Sequence, residues 1–126
     1  MAALVVTVSP ATGLGVEGSR VGIFPGGATP TMHPARTPFW VGYGFAADSG
    51  SSATLDDGTR FELDVDGEPV SMLTEVHAED GSPLRRTDIA AFPAGLPAGW
   101  HDFAGRWFDG GRLILSSRAA IQFVEP

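Results

Sequence analysis

The chain has 126 residues, no cysteine and a formal net charge of −7 at neutral pH. That length sustains one hydrophobic core but not two, and the missing thiols exclude a disulfide framework and any thiolate metal site. The acidic balance, with Arg85-Arg86 as the only adjacent basic pair, argues against nucleic acid or an anionic membrane as partner.

Seventeen glycines and ten prolines interrupt every window long enough for an amphipathic helix, so short strands and tight turns are predicted. In chain order, residues 3–9 read as a first strand stopped by Pro10, and 16–24 contain a second, centred on 20–24. Residues 25–38 carry four prolines and the Gly26-Gly27 pair. They are expected to form a long extended loop of the kind that is usually functional or mobile. Residues 39–46 form an aromatic strand, with Phe39, Val41 and Tyr43 on one face and Trp40, Gly42 and Gly44 on the other. A polar loop over 48–59 follows.

Residues 60–65 alternate cleanly: Phe61, Leu63 and Val65 inward, Glu62 and Asp64 outward. Asp66-Gly67 is a turn signal, after which 70–78 return as the next strand. A turn over 79–83, a strand over 86–92 and a corner over 93–99 lead into a long final hairpin. There Phe103, Gly105 and Trp107 oppose Asp102, Ala104 and Arg106. Asp109-Gly110-Gly111 turns the chain, and Leu113, Leu115, Ser117, Ala119, Ile121 and Phe123 keep a period of two. The whole chain, 1–126, is thus expected to be one all-β domain: an antiparallel sandwich of eight or nine strands without substantial helix. All eight basic residues are arginine, and neither lysine nor asparagine occurs, which fits a GC-rich coding sequence.

The run Leu96-Pro97-Ala98-Gly99-Trp100-His101-Asp102-Phe103 resembles bacterial and phage immunoglobulin-like domains. These often carry a Leu-x-x-Gly-x-Tyr-x-hydrophobic corner before the penultimate strand. Gly99 matches the glycine, and His101 stands where the corner tyrosine is usual. The run Phe61-Glu62-Leu63-Asp64-Val65-Asp66-Gly67-Glu68-Pro69-Val70 is similar to their central Val-Asp-Gly hairpin. The resemblance spans residues 39–124 and implies an immunoglobulin-like fold used for adhesion, decoration or spacing, without catalytic residues. At such a corner the His101 imidazole is expected to hydrogen-bond back to the backbone, as the tyrosine does.

Candidate chemistry is sparse. His33, His77 and His101 are the only histidines and lack short-range ligand spacing, so no metal site is expected. Asp64-x-Asp66-Gly67 has part of a calcium-loop pattern but lacks the later bidentate glutamate, and Asp56-Asp57-Gly58 reads as a turn. The serines at 49, 51, 52, 116 and 117 are not in a nucleophile elbow, and nothing pairs two carboxylates as acid and base. No catalytic residue, enzymatic activity or cofactor is therefore expected.

Trp40, Tyr43, Trp100, Trp107 and Phe108 could form a sugar-stacking platform, but Tyr43 and Trp107 sit in core phase. Trp40 and Phe108 fall on the opposite strand faces and are expected to be an exposed pair. With the proline-rich segment, this gives Met32, His33, Arg36, Trp40 and Phe108 as candidate partner-contact residues. The expected role is a non-enzymatic surface module of a larger protein assembly or homo-oligomer, such as a virion decoration (capsid cement) or tail protein. A carbohydrate-binding or adhesion module is the alternative. Residues 1–8 are apolar but lack a basic leader, and no run reaches membrane-spanning length. Neither signal peptide nor transmembrane segment is expected, and the location is a virion or extracellular surface.

Overall fold

Alternation of large apolar and polar side chains builds two sheets. The computed structural model describes residues 4–8, 17–23, 29–47, 59–77 and 85–126. Among these are ten strands and no helix: β1 Leu4–Val8, β2 Ser19–Arg20, β3 Met32–Pro34, β4 Phe39–Ala47, β5 Arg60–Val65, β6 Glu68–Pro69, β7 Leu73–His77, β8 Arg85–Phe92, β9 Gly99–Asp109 and β10 Arg112–Val124. The first sheet runs β1-β4-β8-β7, with β2 also beside β4, and the second runs β3-β10-β9-β5-β6. Most pairs are antiparallel, but β2 pairs parallel with β4 and β3 parallel with β10. The expectation of a purely antiparallel architecture is therefore corrected to two mixed sheets. The two parallel stubs lie at the ends of long connections, which free them from hairpin geometry.

The core lies between the sheets. Phe39, Val41, Tyr43 and Phe45 of β4 face Phe61, Leu63 and Val65 of β5, Phe103 and Trp107 of β9, and Ile121 and Phe123 of β10. Tyr43 meets Phe61 and Trp107 edge-on at 4.9 and 5.2 Å, and its hydroxyl accepts the Ile23 amide at 2.7 Å. Gly105 lets the layers close: a Cβ there would lie 2.8 Å from the Ile23 side chain and 3.0 Å from the Phe61 ring.

Three boundaries differ from expectation. The second strand is Ser19–Arg20, and Val21 continues beside β4 only through its amide bond to the Trp40 carbonyl at 2.8 Å. Within 25–38, Met32–Pro34 is a strand on the edge of the second sheet; residues 25–28 lie outside the described set. Of residues 70–78, Val70 still follows the hairpin, its amide donating to the Leu63 carbonyl of β5 at 2.9 Å, but β7 leaves it and pairs with β8 in the other sheet; residue 78 lies outside the described residues. The loop 48–58 and the turn 79–83 also lie outside the described residues.

Candidate functional site, the outer face of the second sheet

Two tight turns fix the register of this face. Asp66-Gly67 and Gly110-Gly111 both have left-handed backbones, with φ of 53° and 81° and of 60° and 80°. These are the values a two-residue hairpin loop needs. Cross-strand partners then line up in rows: Arg60, Phe108 and Leu113; Glu62, Arg106 and Ser116; Asp64, Ala104 and Arg118; and Trp100, Gln122 and Met32.

The rows differ in chemistry. Arg106 donates to both Asp64 oxygens at 3.0 and 3.1 Å, and lies 3.5 Å from Glu62. The guanidinium bond holds the Asp64 carboxyl below the usual carboxylate range and raises Arg106 in turn. Arg118 pairs with Asp102. At one end Met32 and Trp100 are 57% and 63% exposed, flanking Gln122. At the other end the Arg60 guanidinium lies 4.2 Å over the half-buried Phe108 ring, beside Leu113, which is 51% exposed. Leu113 was expected on the dry face. A bulge between Leu113 and Leu115 shifts the register, so Leu115 opposes Trp107 while Leu113 opposes Phe108 outside.

His101 sits beside the exposed row. Its Nε2 donates to the Pro97 carbonyl at 2.8 Å, the backbone bond expected at the corner. Nδ1 is 2.6 Å from the Asp66 carboxylate, which also accepts the Asp102 amide at 2.8 Å. Burial by itself lowers the imidazole, but the bonds to Asp66 and Pro97 outweigh it and raise His101 above its ordinary value. Burial likewise raises Asp66, while the bonds from His101 and Asp102 bring it below the usual range.

The five expected contact residues do not converge. Met32 lies on this face, with Phe108 at its far end. Arg36 is exposed, has φ 53° and pairs with Glu125. His33 points inward, 8% exposed, between Phe39 and Phe123; burial lowers its pKa against an opposing bond to the Thr37 backbone. Trp40, expected to be exposed, is only 4% so. Its ring lies over Gly42, where a Cβ would approach within 2.8 Å, and its indole donates to the Gly18 carbonyl at 3.2 Å. Tyr43 and Trp107 are in the core as expected, and of the aromatics weighed as a platform Trp100 is the exposed one.

A cleft of about 340 Å³ adjoins this face: Arg60, Glu62, Asp64 and Arg106 line one side of it, and Met72, Thr74 and Asp88 the side toward the β7–β8 pair. Asp88 is 1% exposed. Its oxygens accept the Phe61 amide at 2.9 Å, the Thr74 hydroxyl at 2.6 Å and the Arg86 guanidinium at 3.2 Å. These bonds engage both oxygens and bolt one sheet to the other. Asp88 escaped notice in the sequence, although a carboxylate in the inward phase of an apolar strand was the available clue. Asp64 and Asp66, expected from strand alternation followed by a turn rather than from a calcium loop, pair with Arg106 and His101.

Among the described residues no three His, Cys, Asp or Glu side chains group as a metal site, and no helix is long and apolar enough to cross a membrane. Comparison with protein-family models, with curated proteins and with solved structures finds no match in any of the three.

Proposed function

We propose that this chain is a non-enzymatic binding module of immunoglobulin-like sandwich type that attaches to a larger protein assembly, such as a virion, through the outer face of its second sheet. The observation that carries this is the Met32–Gln122–Trp100 row, where two large apolar side chains stand in solvent on paired strands. An exposed Trp on a paired strand gains much by burial and has few side-chain torsions to fix on binding, and Met adds adaptable apolar area beside it. The His101 corner and the two facing sheets support the immunoglobulin-like reading. The engaged state of Asp88, Asp64 and Asp66 supports a role without catalysis.

Co-sedimentation tests it. The full chain should pellet with particles assembled in its source, and Trp100→Glu should remain in the supernatant while keeping the wild-type melting temperature. Equal pelleting of both would refute the face. A second reading, carbohydrate binding, is favoured by one feature: exposed Trp100 stands two residues from Asp102 on β9, whose carboxylate pairs with Arg118, so a stacking ring and polar groups share one strand face. Retardation of the chain in a polysaccharide gel, lost in Trp100→Glu, would select that reading over assembly.

A further inference from the structure

We propose that β3 is an acid-released latch: charging of His33 drives its ring from between Phe39 and Phe123, frees Met32–Pro34 from β10, and so takes Met32 out of the contact row. The effect on attachment rests on the contact-face reading, while the latch itself does not. His33 is 8% exposed, with its ring 5.1 Å from Phe39 and 5.3 Å from Phe123. Its Nε2 is buried without a partner. With the Thr37 backbone engaging the ring's other nitrogen, the proton that charges the imidazole goes to Nε2. No acceptor meets it there, and a full charge then lies between two phenyl rings. Those rings return only part of the cost of taking a charge out of water. Burial outweighs the Thr37 bond and lowers the ring below its ordinary 6.5.

Among the described residues no carboxylate holds the charged ring. The ionisable groups of the neighbouring elements are engaged elsewhere. Arg36 pairs with Glu125 beyond the end of β10, and Arg118 of β10 pairs with Asp102 of β9. His101 of β9 meets the Phe123 ring edge-on at 5.2 Å but is bonded to Asp66. On β4 the Tyr43 hydroxyl bonds the Ile23 amide.

β3 can leave by itself. It is three residues long, lies at the edge of its sheet and pairs there with β10 alone. Pro34 brings no amide to the ladder. Just beyond it, Arg36 holds a left-handed backbone at φ 53°, a strain on an L-residue that release removes. β10 stays paired along its other edge, with Gln122 opposite Trp100 and Phe123 opposite Gly99. Phe39 and Phe123 keep their stacks on Phe92 and Phe103. Opening is therefore local, and the two sheets stay closed.

The test is amide hydrogen exchange of the full chain, read residue by residue by NMR at about pH 7 and about pH 5, with protection corrected for the intrinsic rate at each pH. The Ala35 amide donates to the Val124 carbonyl and the Gln122 amide to the Thr31 carbonyl, so both open when β3 leaves. A released imidazole titrates near 6.5. If the closed ring takes no proton, the open-to-closed ratio rises about 25-fold over that span. Protection of both amides should fall by about 10- to 25-fold, while the β9–β10 ladder keeps its own. His33→Phe should abolish the fall, with His33→Leu in its place should phenylalanine overfill the site. Glu125→Gln should keep the fall, which separates His33 from the Arg36–Glu125 pair. Wild-type protection that does not change, that falls equally in the apolar variant, or that falls together with the β9–β10 ladder overturns the latch. Particle pelleting should weaken at the lower pH in the wild type and hold in His33→Phe. Pelleting that ignores pH while β3 opens overturns the effect on attachment and leaves the latch standing. Failure of the contact-face reading is distinct from both: Trp100→Glu then pellets like the wild type, whatever β3 does.

Discussion

His101 is held in its charged form by what its two nitrogens face. Nε2 meets a carbonyl and Nδ1 a carboxylate, both acceptors, and only the doubly protonated ring satisfies both. Its pKa is raised above the 6.5 of an ordinary histidine, so its stabilisation is fully present below that value and is lost as pH rises through the folded pKa. Asp66 runs the other way: its share is present above 3.8 and lost as pH falls through its lowered pKa. His101→Gln should therefore cost about 1–2 kcal/mol in mildly acidic buffer, and the deficit should shrink as pH rises, as read from urea midpoints.

His33 has the opposite sign. Its Nε2 is buried without a partner and burial lowers its pKa from 6.5. Stability is kept above that value and lost as pH falls through the folded pKa. His33→Phe should flatten this acid limb, whereas an unchanged acid limb would show that His33 does not titrate in the fold. Asp88→Asn should cost about 2–4 kcal/mol in the same assay, because an amide turns one acceptor into a donor facing the Phe61 or Thr74 donors.

Single elements were legible where side-chain rhythm and turn chemistry agreed. In β5 the inward Phe61, Leu63 and Val65 are buried as their alternation requires. The Gly110-Gly111 turn gives the register of β9 and β10. Rhythm fails where one residue is inserted, so the bulge at Ile114 turned Leu113 outward with no local cue. It also fails where pairing is distant. β3 joins the far end of β10, and a proline-rich run has no period of its own. Trp40 misled for a related reason: alternation tells which face a side chain takes, not whether the Gly18 segment lies close over that face. At this scale Gly105→Ala is the sharpest substitution. A methyl group has no room against Ile23 and Phe61, so a loss of about 1–3 kcal/mol is expected from overpacking, measured by thermal melting.

The described residues form two sheets closed on an aromatic core, and that much follows from composition, turns and alternation. The candidate site was only partly legible, because it is defined by rows running across strands. Met32, Gln122 and Trp100 are 22 to 90 residues apart in sequence, and only the register of β3, β10 and β9 brings them side by side. Leu73, exposed on the first sheet, provides an internal control. The central claim, that the outer face of the second sheet is the contact surface, is tested most directly by photo-cross-linking in the source cell. A reactive residue is placed at position 100 in one chain and at position 73 in another. Cross-links from position 100 to a structural protein or to a second copy of this chain, with few from position 73, are the predicted result. Equal yields from the two positions, or cross-links from position 73 alone, would contradict it.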